Sequence, residues 1–242
     1  MKIQGALFDL DGTLLQSMEM WQQLPLQLVR RLGEEPPEDL ARTIEAMDQR
    51  QAAEYIIRTF GFAVSVEQVL KLVEELAAEE YCQHLPAKPG AEVLLEQLRQ
   101  QKIPCGIVSA TQKELSQAAM ERLGLWKYFS FALDCGEYGP KTNPHIYLAG
   151  AEKLGSAPCC TLVFEDALHA ARTAKEAGFV TVGVWDPAEE EHRGEMEALC
   201  DHYIERLDAL EVPKSFQGQN AAGRGHHFPS LNKTSMQKGE RT

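Results

Sequence analysis

The sequence predicts an α/β protein: a doubly wound parallel sheet with a small α-helical cap inserted after strand one. Three observations carry this. Beyond about residue 86, short apolar runs alternate with amphipathic segments. The stretch from 17 to 85 breaks that alternation and holds only helical signals. The run GALFDLDGTLLQS, residues 5–17, drives an apolar strand straight into two aspartates, Asp9 and Asp11.

Ala6, Leu7 and Phe8 form the first strand. In the helical stretch that follows, Met20, Trp21, Leu24, Leu28 and Leu32 recur at helical spacing. PEDLARTIEAM, RQAAEYIIRTFG and SVEQVLKLVEELAAEEYC continue it, and Ser65 with Gln68 fits a capping box. PGAEVLLEQLRQQ then predicts a helix with Val93, Leu94 and Leu98 on its apolar face and proline near its first turn. IPCGIVSA, 103–110, is the second strand and FALDC, 131–135, the third. The helices KELSQAAMERLG and PHIYLAGAEKLG end in Gly124 and Gly155, residues suited to C-terminal caps. CTLVFED, 160–166, and VTVGVW, 180–185, are strands four and five, and DHYI, 201–204, is an edge strand. The core domain therefore covers 1–16 and 86–213, with the cap at 17–85. From 214 the chain is rich in Gly, Asn, Ser, Gln and Lys without periodicity, which predicts a disordered tail; His226 and His227 belong to it.

The 242 residues suit one core with one insertion. A formal net charge of -12 argues against a nucleic-acid partner, which needs a basic face. An apolar run of roughly 18 residues, as a membrane helix requires, is missing. The chain enters its first strand by Ile3 without a signal peptide. The cysteines, Cys82, Cys105, Cys135, Cys159, Cys160 and Cys200, make no C-x-x-C pair. Together these predict a cytoplasmic monomer whose reduced cysteines act as small core residues.

The acids carry the chemistry. In an open parallel sheet, ligands bind beyond the carboxyl ends of the strands. Asp9 follows Phe8 there, and a tight turn at Gly12 lets Asp11 face the same space. Adjacent carboxylates repel; a divalent cation relieves one, and the other can carry a proton and act as an acid. Strand four likewise ends in Glu165 and Asp166. If strands one and four are neighbours, Asp9 and Asp166 converge on one site, whose hard oxygens suit Mg2+. Strand two ends in Ser109, whose hydroxyl suits a phosphate oxygen, and Lys141 after strand three adds positive charge. An EF-hand is excluded, because Gly12 directly follows Asp11. Acids, metal, hydroxyl and lysine at strand ends describe a phosphoryl-transfer site.

DLDGT, Asp9 to Thr13, resembles the first motif of the haloacid dehalogenase superfamily, subfamily IA. Ser109, Lys141 and the Glu165-Asp166 pair resemble its second, third and fourth motifs in order, over about residues 1 to 212. The helical insertion resembles that superfamily's α-helical cap over a Rossmann-like core. The resemblance implies that Asp9 is the nucleophile, forming an aspartyl-phosphate, and that Asp11 is the acid and then the base. It implies magnesium held by Asp9, the backbone carbonyl of Asp11 and Asp166, with Glu165 near or in the shell. Ser109 and Lys141 would bind the transferring phosphoryl group, and Thr13 would steady the first loop.

Asp11 argues against a dehalogenase, which lacks the second acid. The expected function is a phosphatase of a small phosphorylated metabolite. A sugar phosphomutase of the β-phosphoglucomutase type is the alternative, and a non-enzymatic phospho-ligand-binding regulator a third. Mutases of that type carry a histidine where Trp21 stands and a cap arginine where Gln49 stands, with Arg50 next to it. Trp21, Gln49 and Arg50 are the cap residues expected to face substrate, with Tyr55 and Arg58 as further candidates. His84, His145 and His169 are expected to be structural or surface residues.

Overall fold

In a computed structural model of the protein, residues 2–44 and 47–210 are described. The expected tail, with His226 and His227, lies outside the described residues. Strand β1 (Gly5–Phe8) is followed by four helices, α1 (Met18–Arg31), α2 (Leu40–Ile44), α3 (Gln49–Phe60) and α4 (Val66–Gln83). The chain then alternates: α5 (Ala91–Gln100), β2 (Cys105–Ser109), α6 (Lys113–Arg122), β3 (Phe129–Asp134), α7 (Cys135–Tyr138), α8 (His145–Leu154), β4 (Thr161–Glu165), α9 (Leu168–Glu176), β5 (Val180–Val184), α10 (Arg193–Leu199) and β6 (His202–Ile204). The strands form one parallel sheet in the order β3-β2-β1-β4-β5-β6.

Helices on both faces bury a parallel sheet, so its strands read as continuous apolar runs. Alternate residues still go to opposite sides. Ala6 and Phe8 enter one core, while Leu7 joins Val108, Val163, Ile146 and Tyr147 in the other. Phe8 stacks on Phe164 at 4.2 Å between ring centroids and meets Phe129 edge-on at 6.0 Å. The pairing Phe8↔Phe164 sets β1 level with β4, so the residues after each come out side by side. Strand order reverses its direction of growth between β1 and β4, where doubly wound sheets open their ligand crevice.

The cap has its own core, built on Leu28, Val29, Leu40, Ile56 and Val69. The expected capping box at Ser65 and Gln68 forms, and a second opens α3 at Asp48 and Gln51. The two cap linkers run together: Gln16 N donates to Pro86 O at 3.0 Å and Lys88 N to Leu14 O at 2.8 Å. Lys88, itself buried, pairs with buried Asp186 at 2.7 Å and donates to Trp185 O, tying the return linker to the end of β5. On the other side Arg122 of α6 donates to Tyr81 O at 3.1 Å and also to Leu85 O, gripping the end of α4.

Two expectations change. Val93 is 51% exposed; α5 instead buries Ala91, Leu94, Leu95 and Leu98, a stripe one position round from the one its sequence suggests. Of the cysteines only Cys105 is fully buried, while Cys82 and Cys159 are exposed, because their positions fall on outer faces of a helix and a turn. Gly155 ends α8 in the left-handed region, as expected. Among the described residues no helix is long and apolar enough to cross a membrane.

The Phe8–Phe164 stack sits under the site and is fully buried. Phe164→Ala should cost about 3–5 kcal/mol, whereas Val93→Ser on the exposed side of α5 should change stability by less than about 0.5 kcal/mol. Urea unfolding of both variants checks this; equal midpoints would show that the stack does not anchor the sheet.

Candidate active site

The acids emerge where the pairing of β1 and β4 places them. Asp9 N still donates to Phe164 O at 3.0 Å, extending the sheet by one bond. The chain then turns sharply: Leu14 N and Leu15 N both donate to Leu10 O at 2.8 Å, and Gly12 N to Leu15 O at 3.0 Å. Gly12 has φ +73°, and a Cβ there would lie 2.1 Å from Asp166 Oδ2. Only glycine allows both that backbone angle and that approach. Thr13 Oγ1 completes the turn by donating to Asp166 Oδ1 at 3.1 Å. Asp166 is thus held by the first loop and does not cap α9, whose N-cap position is Ala167.

Asp9, Glu165 and Asp166 are all buried and offer carboxylate oxygens within 4.8 Å of one another. Lys141 enters this cluster, its Nζ 2.5 Å from Asp9 Oδ1 and 2.8 Å from Glu165 Oε1. Tyr147 donates to Glu165 Oε1 at 2.7 Å. Burial pushes the carboxyls of Asp9 and Asp166 up, and Glu165 up to about 7, while Lys141 pulls each down. On Lys141, burial acts to lower the pKa; the two partner carboxylates outweigh it and hold the ammonium above its ordinary range. One cation faces three acids, and Glu165 Oε2 is buried without a hydrogen-bond partner. That orphaned oxygen and the hard donor set fit a small divalent cation such as Mg2+.

Asp11 stands apart from the trio. Tyr81 OH donates to its Oδ1 at 2.5 Å and Thr111 Oγ1 to its Oδ2 at 2.7 Å. Tyr81 comes from the core-proximal end of α4, so the cap reaches this acid directly. Asp11 and burial together push the Tyr81 phenol up, which keeps it a donor. Ser109 ends β2 fully buried, its Oγ accepting from Thr111 N at 3.0 Å.

The structure thus brings together Asp9, Asp11, Ser109, Glu165 and Asp166 from adjoining strand ends with Lys141 from the loop between α7 and α8. Of the cap residues, Trp21 is linked to them: its Nε1 donates to Tyr81 OH at 3.2 Å. Gln49 lies with Trp21 on a cavity inside the cap. Arg50 lies elsewhere, exposed and paired with Glu67 at 2.9 Å. Tyr81, Thr111 and Tyr147 were not legible as site residues, since each sits in an ordinary amphipathic or loop pattern; only the position of Thr111 two residues past Ser109 hints at its place. A hollow of about 720 Å³ lies not over the acids but beside the return linker, lined by Lys88, Trp185 and Asp186.

The family model for haloacid dehalogenase-like hydrolases matches residues 3–178. A validoxylamine A 7'-phosphate phosphatase from Streptomyces hygroscopicus subsp. limoneus is 29% identical over 205 residues, covering 83% of this chain and 94% of that protein. Hexitol phosphatase A from Escherichia coli K12 is 29% identical over 213 residues, covering 88% and 97%. The solved structure of a β-phosphoglucomutase from Clostridium difficile shares the fold, with a TM-score of 0.63, 20% identity and coverage of 87% and 94%. With the match spanning β1 to the end of α9 and every motif residue inside it, the chain belongs to the haloacid dehalogenase-like hydrolases.

Proposed function

We propose that the protein is a magnesium-dependent phosphatase of a small phosphorylated metabolite, working through an aspartyl-phosphate. The observation that carries this is the meeting of Asp9, Glu165 and Asp166 at the ends of neighbouring strands with Lys141 from the loop before α8, and Asp11 held separately. The two similar proteins named above are phosphatases of phosphorylated small molecules, which supports the same reaction here.

Asp9, Asp166 and Glu165 would hold the cation, with the Asp11 backbone carbonyl as a further oxygen. When bound, Mg2+ would offset negative charge on the phosphoryl oxygens. A carboxylate oxygen of Asp9 attacks phosphorus; the O–P bond forms as the ester P–O bond breaks. Asp11 gives its proton to the departing oxygen. Water then attacks the acyl-phosphate, Asp11 takes back a proton, and the Asp9 O–P bond breaks to release inorganic phosphate. Lys141 and Ser109 bind the phosphoryl oxygens, and the low-dielectric surroundings strengthen that contact. Tyr81 and Thr111, both neutral donors, orient Asp11 without an ion pair.

The mutase reading asks for a cap cation toward a second phosphate. Arg50 is paired with Glu67 instead, and Gln49 is neutral. A regulator that only binds would not need Asp9 and Asp11 together. The direct test is magnesium-dependent phosphate release by the purified protein from a panel of metabolite phosphates, with isomerised product read separately. Isomer without free phosphate would overturn the proposal in favour of the mutase.

Asp9→Asn should lower kcat by about 10⁴-fold or more with an unchanged unfolding midpoint or a higher one; near-normal turnover would remove it as nucleophile. Asp11→Asn should slow hydrolysis of an alkyl phosphate by about 10²–10⁴-fold and of an activated aryl phosphate much less. Equal losses on both esters would count against its role as acid.

The raised carboxyls also set a pH dependence. The folded protein binds a proton on Glu165 more tightly than the unfolded chain, whose ordinary value is 4.5 against about 7 folded. Metal-free stability from this group is therefore present below 4.5 and lost as pH rises through about 7. Magnesium competes with that proton and should restore stability at pH 8 but little at pH 5. At a hundred times its Kd the gain should be about 2.7 kcal/mol, roughly 5–10 °C in Tm. Thermal melts at both pH values check it; a magnesium shift larger at pH 5 would contradict the assignment.

A further inference from the structure

Tyr147 of α8 is fully buried in the core layer that holds Leu7, Val108, Val163 and Phe179. Its ring centroid lies 6.1 Å from that of Phe179. A buried phenol needs a partner for its one proton. Ala170 O, at 3.5 Å, is too far to be a good acceptor. The hydroxyl instead donates to Glu165 Oε1, at the end of β4, at 2.7 Å. Lys141 Nζ donates to the same oxygen at 2.8 Å. A carboxylate oxygen offers about two lone-pair sites, so Oε1 is filled. Glu165 Oε2 is buried and has no hydrogen-bond partner. The two oxygens of one carboxylate are therefore treated oppositely, one saturated by donors and one left bare. Glu165 is also grouped with Asp9 and Asp166, where carboxylate oxygens lie within 4.8 Å of one another.

We infer that Tyr147 is a positioning residue: with Lys141 its hydroxyl occupies Glu165 Oε1, so that Glu165 meets the cation through Oε2 alone, and this favours Mg2+ over Ca2+. The inference rests on the magnesium reading of the acid cluster. Groups that hydrogen-bond a ligating side chain fix its orientation and tune its affinity for metal. Lys141 cannot fix Glu165 unaided, because its Nζ is shared with Asp9 Oδ1 at 2.5 Å. The phenol has no such second carboxylate and stays on Glu165. Mg2+ is small and keeps several waters, so one oxygen from each carboxylate suits it. Ca2+ takes more oxygens and often holds a carboxylate by both. To offer both, Glu165 would have to give up a donor already bonded to Oε1.

Tyr147→Phe keeps the ring and removes only the hydroxyl. Binding of Mg2+ and of Ca2+ to the full chain is measured by titration calorimetry without substrate. The wild type should bind Mg2+ more tightly than Ca2+. Tyr147→Phe should weaken Mg2+ binding by about 10–100-fold and Ca2+ binding less, so that the ratio of the two Kd values narrows. Phe179→Leu disturbs the packing beside the same ring without removing its hydroxyl. It should lower Tm and leave both Kd values unchanged, which separates the hydrogen bond from the packing. An unaltered Mg2+ affinity in Tyr147→Phe, equal weakening of both cations, or an equal loss in Phe179→Leu would overturn the inference. A wild type that binds Ca2+ as tightly as Mg2+ would overturn it without any variant. If Mg2+ binds with this dependence on Tyr147 while no ester of the metabolite panel releases phosphate, the phosphatase reading falls and the role of Tyr147 stands. If neither cation binds the wild type, both are overturned.

Discussion

The parallel pairing of β1 with β4 is the constraint from which the rest follows. Phe8 opposite Phe164 makes the next residues, Asp9 and Glu165, leave the sheet at the same height, and Asp166 one step later faces back across the gap. A slip of one residue would turn these carboxylates to the opposite faces of the sheet. The register is held by ladder bonds and by two stacked phenylalanines, so a stiff hydrophobic element positions a strained polar one. Burying these acids is unfavourable by itself: loss of water pushes all three carboxyls up, and neighbouring carboxylates add to it. The sheet supplies the energy that holds them there, and Lys141 offsets part of the repulsion.

A second level of organisation separates the acids by environment. Three carboxylates share an enclosed space with an ammonium, whereas Asp11 is dressed by hydroxyl donors from α4 and from the loop after β2. Carboxyls placed so differently can divide nucleophilic and acid–base duties between them. Tyr81 is the contact that ties this division to the cap. It is fully buried, fixed at its backbone by Arg122 and at its hydroxyl by Asp11 and Thr111. A rearrangement of the cap on the core must therefore move or break a bond to Asp11.

Much of this was legible in the sequence, for definite reasons. The strands are short uninterrupted apolar runs, and runs of that kind belong to sheets buried on both faces; all six appear where expected. The motif acids stand immediately after such runs, so their shared location follows from topology alone. The helical insertion and its Ser65–Gln68 box follow from local spacing. What escaped depends on three-dimensional contact. Tyr81 and Tyr147 have the pattern of ordinary core aromatics, and nothing in their neighbours along the chain marks the carboxylates they meet. Val93 fits a helical stripe equally well from either side, and packing against Leu207 and its surroundings decides the face. Arg50 looked suited to grip an anion until Glu67, seventeen residues away, claimed it.

The side-by-side linkers give the architecture a modular character. Because Gln16 and Pro86 are bonded at 3.0 Å, the chain departs from and rejoins the sheet-bearing body at a single point. Excising everything between them would leave two ends that one short turn could splice. The helical unit can thus be exchanged for another without re-routing a strand. One condition restricts such grafts: the incoming unit must return a hydroxyl where Tyr81 now stands, or the Asp11 carboxyl loses its tether.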